Sequence, residues 1–257
     1  MKIDLSGKSA LVCGASQGIG EACAQSLAAC GANVTLVARS EQKLKEVVKT
    51  LPSGNHQIFL ADLSNKQQVQ KLVDHISKTG FDILINNTGG PQPGPITDAS
   101  LEEFENGIQA HLFASHQLVQ ASIPTMKAKG FGRIINIIST SVKIPIPGLG
   151  VSNTIRGAMA SWAKSMSNEL AQHGITVNNI LPGLIETPRL MSLIEQTAKQ
   201  QELDIDVVSE NFKSTVPSGR FGQPSEIGNM VAFLASEYGA YINGTSIPVD
   251  GGRTGAI

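Results

Sequence analysis

Short runs of apolar residues recur along this chain. Between them lie longer stretches in which hydrophobic side chains return every three or four positions. The short runs predict strands over 8–14, 33–38, 56–61, 82–86, 132–138, 175–180 and 245–249. Ile83-Leu84-Ile85 and Ile134 to Ile138 are nearly unbroken in apolar residues, as parallel strands covered on both faces should be. The longer stretches predict helices over about 18–30, 41–50, 65–79, 101–129, 152–172 and 224–236. Ser40 before Glu41 and Ser64 before Asn65 offer oxygen acceptors to the free amides of a helix start. Over 152–172 one stripe carries Ile155, Met159, Trp162, Met166 and Leu170, which predicts a core-facing side. Gly157, Ala158, Ala160 and Ser161 leave the other faces small enough for close helix contact. Strands alternating with helices, joined by right-handed crossovers, predict an α/β fold: a Rossmann-type doubly wound parallel sheet with helices on both faces. No linker-like composition break and no internal repeat divides residues 1–257, so one domain is expected.

Composition narrows the partners. Hydrophobic residues are 41% and charged residues 16% of the 257, as in an ordinary soluble globule with a sizeable core. A formal net charge of −1 supplies no basic field, so neither nucleic acid nor an anionic membrane surface is expected as partner. No apolar run approaches membrane-spanning length. Cys13, Cys23 and Cys30 lack metal-ligand spacing, and Cys23 and Cys30 share a helix face as small core residues. His111 and His116 fall on different faces of a predicted helix, so no metal site is expected. The sequence shows no secretory signal pattern, and a reducing cytoplasm is the expected location.

The first chemistry-bearing segment is Gly14-Ala15-Ser16-Gln17-Gly18-Ile19-Gly20, set between a predicted strand and a predicted helix. Glycines there permit positive φ and close backbone approach, and free helix amides can receive a pyrophosphate. A tight turn serving helix packing alone would use the same glycines. The second strand ends Val37-Ala38-Arg39-Ser40, where an acidic residue would grip a ribose 2′-hydroxyl. Arg39, with Ser40 beside it, favours a 2′-phosphate and hence NADP(H) over NAD(H), unless it is a solvated surface arginine. Gln17 stands where a second basic residue would strengthen that preference. Ser139 follows Ile134-Ile135-Asn136-Ile137-Ile138, at the end of a strand.

The glycine pattern is joined by Asp62-Leu63, Asn86-Asn87-Thr88-Gly89, Ser139, Asn178, Pro182-Gly183-x3-Thr187, Arg220-Phe221-Gly222-Gln223-Pro224 and Val249-Asp250-Gly251-Gly252. With these in order, the chain resembles a short-chain dehydrogenase/reductase. Its layout is most similar to the 3-oxoacyl-[acyl-carrier-protein] reductases. The resemblance implies a dinucleotide held by Gly14, Ser16, Gln17, Gly18, Ile19, Gly20, Arg39 and Ser40, with Asp62 and Leu63 at the adenine. It also implies that Asn87, Gly89, Pro182, Gly183 and Thr187 follow the cofactor toward the nicotinamide, and that Asn178 borders it. Asn86 and Asn87 could equally brace the sheet, and Asp250-Gly251-Gly252 a turn. Helices 101–129 and 152–172 would form a dimer interface, usually within a tetramer, so a homo-oligomer is expected.

Departures from the family pattern fall on its chemistry. The family uses a tyrosine as general acid, a lysine that lowers its pKa, a serine that polarises the carbonyl, and an asparagine that holds a relay water. By spacing, Ser139 keeps its role, while Ser152 replaces the tyrosine, Arg156 the lysine and His111 the asparagine. An aliphatic hydroxyl is a far weaker acid than a phenol, and serine reaches less far. Arg156 could still hydrogen-bond the nicotinamide ribose, but as a fixed cation it cannot join a proton shuttle. His111 could act as the acid or fill the asparagine's place with a structural hydrogen bond. Lys143 could act if burial depressed its pKa, or remain a solvated loop lysine. The run Ser141-Val142-Lys143-Ile144-Pro145-Ile146-Pro147, with Ser-Asn-x-x-Arg after it, resembles a divergent branch of the family. Residues 188–216 predict a substrate lid of one or two amphipathic helices, or a surface insertion. Its Glu195, Glu202, Asp204 and Asp206 argue against a highly anionic substrate. Two readings follow. One is an NADP(H)-dependent reductase of a small-molecule carbonyl, 3-oxoacyl-like or a small ketone, with a non-standard proton donor. The other is an inactive dinucleotide-binding homologue serving as sensor or partner subunit.

Overall fold

A computed structural model describes residues 2–256. Its strands are β1 (Ser9–Cys13), β2 (Asn33–Ala38), β3 (Gln57–Leu60), β4 (Ile83–Asn86), β5 (Gly132–Ile137), β6 (Ile175–Pro182) and β7 (Ser246–Val249). They form one seven-stranded sheet in the order β3-β2-β1-β4-β5-β6-β7, with every neighbouring pair parallel. The expected doubly wound fold is the one found. The order reverses between β1 and β4, so a crevice opens at the strands' C-terminal ends there.

Unbroken apolar strands arise because both faces are covered. Ala10 and Val12 of β1 join one core with Ile83, Ile85 and Ile135, while Leu11, Leu84 and Ile134 face the other. The first core is closed by α1 (Gly18–Ala29), α2 (Glu41–Thr50) and α9 (Pro224–Ala235). The second lies under α3 (Lys66–Thr79), α5 (Ala114–Lys129) and α6 (Gly150–Leu170). Cys23 is buried in the first core and Cys30 packs against its edge. On α6, Ile155, Met159 and Leu170 are buried, whereas Trp162 and Met166 are only partly covered. Trp162 Nε1 donates to His116 Nδ1 at 3.2 Å.

Three local expectations are corrected. Ser40 caps α2 by accepting from the Lys43 amide, but α3 is capped by Asn65, whose Oδ1 accepts from Gln67 N and Gln68 N at 3.0 and 3.1 Å. Ser64 instead turns back and donates through N and Oγ to Asp62 Oδ1. The helix expected over 101–129 is α4 (Leu101–Ile108), a π turn over Gln109–Phe113, and then α5. Asn178 is fully buried and clamps β6 to the approach of β7, donating to Ile242 O and accepting from Thr245 N, so it does not face the crevice.

A row of amides crosses the sheet where β4 to β7 are in register. Asn86 Nδ2 donates to Asn136 Oδ1 (2.8 Å), Asn136 Nδ2 to Asn179 Oδ1 (2.9 Å), and Asn179 Nδ2 to Ser246 Oγ (3.0 Å). At the opposite, N-terminal end of the strands, buried Asp82 accepts from Ser9 N, Ser9 Oγ and Lys129 Nζ at 2.8, 2.9 and 2.7 Å. Burial would raise its pKa, but the hydrogen bonds from Lys129 and Ser9 hold it below the usual carboxylate value. A depressed folded pKa contributes stability above the unfolded value of about 3.9 and loses it as pH falls further. Asp82→Ala is expected to cost about 3 kcal/mol at neutral pH, the lower range for breaking a buried pair. Denaturant titrations at pH 7 and pH 3 check this: the gap between wild type and variant should shrink on acidification.

Candidate active site

The crevice begins at the loop from β1 to α1. Gly14 and Gly18 adopt φ of 61° and 60°, which other residues rarely tolerate. A Cβ on Gly20 would collide with the Gly14 carbonyl and lie 2.7 Å from Asn87 Nδ2. Asn87, just past β4, donates to Cys13 O and Gly14 O at 3.3 and 3.4 Å, which ties the loop to the next strand end. The N-cap residue Gln17 is extended and its side chain makes no capping bond. The first-turn amides of α1 therefore have no side-chain acceptor from the cap, the arrangement that receives a phosphate. Ser16, Gly18 and Ile19 are partly open beside them. These residues fit a dinucleotide pyrophosphate.

At the end of β2, Arg39 is largely exposed, 3.7 Å from Asp62. Leu63 is half-buried next to it. Lys43 stands opposite, its Nζ donating to Gln17 Oε1 at 2.8 Å. The sequence reading missed Lys43, because only the Ser40 cap and the first turn of α2 fold it back beside the glycine loop. A second cation thus arrives beside the position where Gln17 lacked one.

The far end of the crevice is built by β5, α6, the π turn and the segment after β6. Ser139 is half-buried in extended backbone, its Oγ accepting from Ser141 N at 3.1 Å. Ser152 and Arg156 lie one turn apart on α6, both buried. Arg156 Nη1 donates to Ile137 O at 3.1 Å, and its Nε is buried with no partner. His111 is buried in the π turn. Burial first, then Arg156 and Arg189, push its pKa down to about 2, against a backbone contact with Gly89. The imidazole is therefore neutral at physiological pH, and the near-neutral titration expected of a cationic acid is not available to it. Lys143 is solvent-exposed, so the burial on which its candidate role depended is absent. Pro182 and Gly183 are partly open at the end of β6, and Gly183 packs against Asp250 in the final turn. Thr187 caps α7 (Pro188–Gln201) through Leu190 N, and its methyl would lie 3.2 Å from a Cβ on Gly18. Thr187 and the glycine loop therefore meet across the crevice. Behind Thr187, α7 and α8 (Ile205–Ser214) share a small core with Phe221, so the 188–216 segment is two packed helices. Among the described residues no group of three or more His, Cys, Asp or Glu could hold a metal ion.

A phosphate-receiving loop at the switch point of a parallel sheet, with a serine at the end of β5, defines a dinucleotide-binding α/β protein of the oxidoreductase kind. Residues 14–254 match the family model described as "Enoyl-(Acyl carrier protein) reductase". The chain is 35% identical over 250 residues to the 3-oxoacyl-[acyl-carrier-protein] reductase FabG of Rickettsia bellii, covering 97% of this chain and 98% of that one. The crystal structure of YwfH, an NADPH-dependent reductase involved in bacilysin biosynthesis, superposes with a TM-score of 0.92 at 30% identity, over 98% and 100% of the two chains. L-sorbose reductase from Gluconobacter frateurii, complexed with NADPH and L-sorbose, does so with a TM-score of 0.93 at 30% identity over 100% of both. The chain belongs to the short-chain dehydrogenase/reductase family of oxidoreductases, as its motifs implied.

The Gly20 contact is testable. Gly20→Ala should lower stability by about 1–3 kcal/mol through overpacking and weaken dinucleotide binding by about tenfold, since a shift of α1 moves the amides. Thermal melts and fluorescence titration with NADPH read the two effects.

Proposed function

We propose that this protein is an NADP(H)-dependent reductase of a small-molecule carbonyl, with Ser139 orienting the substrate oxygen. The carrying observation is the state of that hydroxyl. Ser139 Oγ accepts from Ser141 N and donates to no group among the described residues, so its proton is free for a substrate oxygen. Arg39 and Lys43 at the adenine end support NADP(H), as do the relatives whose names specify NADPH.

The bound dinucleotide would supply or accept the hydride. The chain's residues have four tasks around it. Gly14 to Gly20 seat the pyrophosphate, with Asn87 and Gly89 along the next strand end. Arg39, Ser40 and Lys43 select the 2′-phosphate. Pro182, Gly183 and Thr187 close on the nicotinamide side, and α7 and α8 form the lid. Ser139 hydrogen-bonds the carbonyl oxygen as negative charge develops there. Ser152 is buried and supplies no acid of useful strength. His111, held neutral, braces the cluster, and the product oxygen takes its proton from the solvent side, where Lys143 stands exposed. A homo-oligomer through α6, whose Thr154, Gly157, Ala158 and Ser161 are exposed, accords with the family resemblance.

The burial of His111, 3% exposed, is also the observation that favours the second reading, a cofactor-binding protein without turnover. NADPH oxidation with a panel of ketones, aldehydes and an acetoacetyl thioester separates the two. Turnover is expected to fall about 100-fold in Ser139→Ala, the scale of one lost oxyanion donor. At most about tenfold is expected in Lys143→Ala, where solvent can take the place of the exposed lysine, and in His111→Asn. Tight NADPH binding with no oxidation of any compound would overturn the reductase reading. Collapse of turnover in His111→Asn alone would return the proton to the histidine.

A further inference from the structure

Six arginines occur in the chain, and three of them meet a carboxylate: Arg39 with Asp62, Arg133 with Glu237 and Arg220 with Glu226. Arg253 donates to Thr215 Oγ1. The remaining two, Arg156 and Arg189, pair with no carboxylate among the described residues, and they are the two that lie together. A Cβ placed on Gly90 would meet Arg189 Nη1 at 2.9 Å, Arg189 Nη2 at 3.0 Å and Arg156 Nη2 at 3.4 Å. The two guanidinium heads thus border one methyl-sized volume, which the missing side chain of Gly90 leaves open. Arg156 is 6% exposed, makes a single hydrogen bond and buries an unpartnered Nε.

Arg156 is buried without a counter-ion, and the exposed Arg189 brings a second like charge to its head, which is unfavourable, so the arrangement calls for an anion. The field is felt nearby: Arg189 contributes to pushing the pKa of Arg156 down to about 10, after burial, and both arginines depress His111. Two anions could answer, a phosphate of the dinucleotide or a carboxylate of the substrate. Position favours the second. Arg156 hydrogen-bonds Ile137 O, two residues before Ser139, and stands one turn after Ser152, so the cation pair belongs to the reacting end. The pyrophosphate has the α1 amides, and the adenine end has Arg39 and Lys43. The lid's acidic residues, which argued against an anionic substrate, are exposed on its outer surface, while the first turn of α7 sends Arg189 back onto Gly90.

We infer that Arg156 and Arg189 form a carboxylate receptor, and that the substrate is a short oxo acid whose free carboxylate binds there while its carbonyl meets Ser139. This rests on the reductase reading above. The reaction balances as hydride from the reduced dinucleotide to the carbonyl carbon and a proton to its oxygen, giving the hydroxy acid and the oxidised dinucleotide. The carboxylate is unchanged. A fork of donors on each side of a planar carboxylate gives both affinity and register, which an ester or thioester cannot match.

Pyruvate, acetoacetate and 4-oxopentanoate, each beside its methyl ester, test this with the full chain. Binding is measured calorimetrically on the NADP⁺-saturated protein, and NADPH oxidation is measured in parallel. At least one acid should bind about tenfold or more tighter than its ester, and Arg189→Met should bring that ratio close to one while NADP⁺ affinity changes less than about twofold. Arg189→Lys, which keeps the charge but not the fork, should retain part of the preference. Equal binding of acids and esters, or no binding of any acid, overturns the receptor. Loss of NADP⁺ affinity in Arg189→Met with the acid preference intact assigns the pair to the cofactor's phosphate and also overturns it. The two readings fail separately. Acids that bind through Arg189 but are never reduced would leave the receptor standing and sink the reductase. Ester or neutral-ketone reduction without acid preference would do the reverse.

Discussion

The crevice depends on one contact that only hydrogen permits, the approach of Gly20 to the Gly14 carbonyl and the Asn87 amide. With that contact, the first turn of α1 lies against the ends of β1 and β4, at the switch point of the strand order. One turn further along α1 the packing is also close: a Cβ on Gly228 of α9 would lie 2.6 Å from Ala22 O. The N-terminal half of the helix is therefore seated against main chain as well as side chains. Backbone seating has little slack, and it fixes where the open amides point. Thr187 and the base of α7 then meet the same loop through Gly18, so α7 takes its position from the glycine loop.

The sheet was legible because both its faces are buried, which removes the polar alternation and leaves runs such as Ile134 to Ile138. Helix starts were legible only where one capping oxygen stood alone. At Ser64-Asn65 two candidates are adjacent, and the Asp62 carboxylate draws Ser64 away, leaving Asn65 to cap. The glycine loop and Ser139 could be read locally because strand, turn and helix follow one another there. Lys43 and Arg189 could not. Each sits in the first turn of a helix, and its partner across the crevice, Gln17 or Gly90, is distant in sequence and set by the fold. The family pattern located His111 but not its burial, which decides its charge.

The far end of the crevice is electropositive, with Arg156 buried there and Arg189 beside it. A lysine can release its proton when desolvated, whereas a guanidinium stays charged even with its pKa lowered to about 10. His111, its pKa pushed down to about 2, and Ser152 add no charge to them, so the two arginines set the electrostatics of this end.

The π turn over Gln109–Phe113 bears on how this chain compares with its relatives. A π turn is an α-helix carrying one surplus residue, and each residue rotates an α-helix by about 100°. Removing a single residue there would restore a regular ladder between α4 and α5. It would also turn the face that carries His111 away from the crevice, while leaving composition and length almost untouched. The histidine's place is thus set by a count, not by its own side chain. Where a relative lacks the surplus residue, matching by identity around 109–113 would pair side chains that point in different directions.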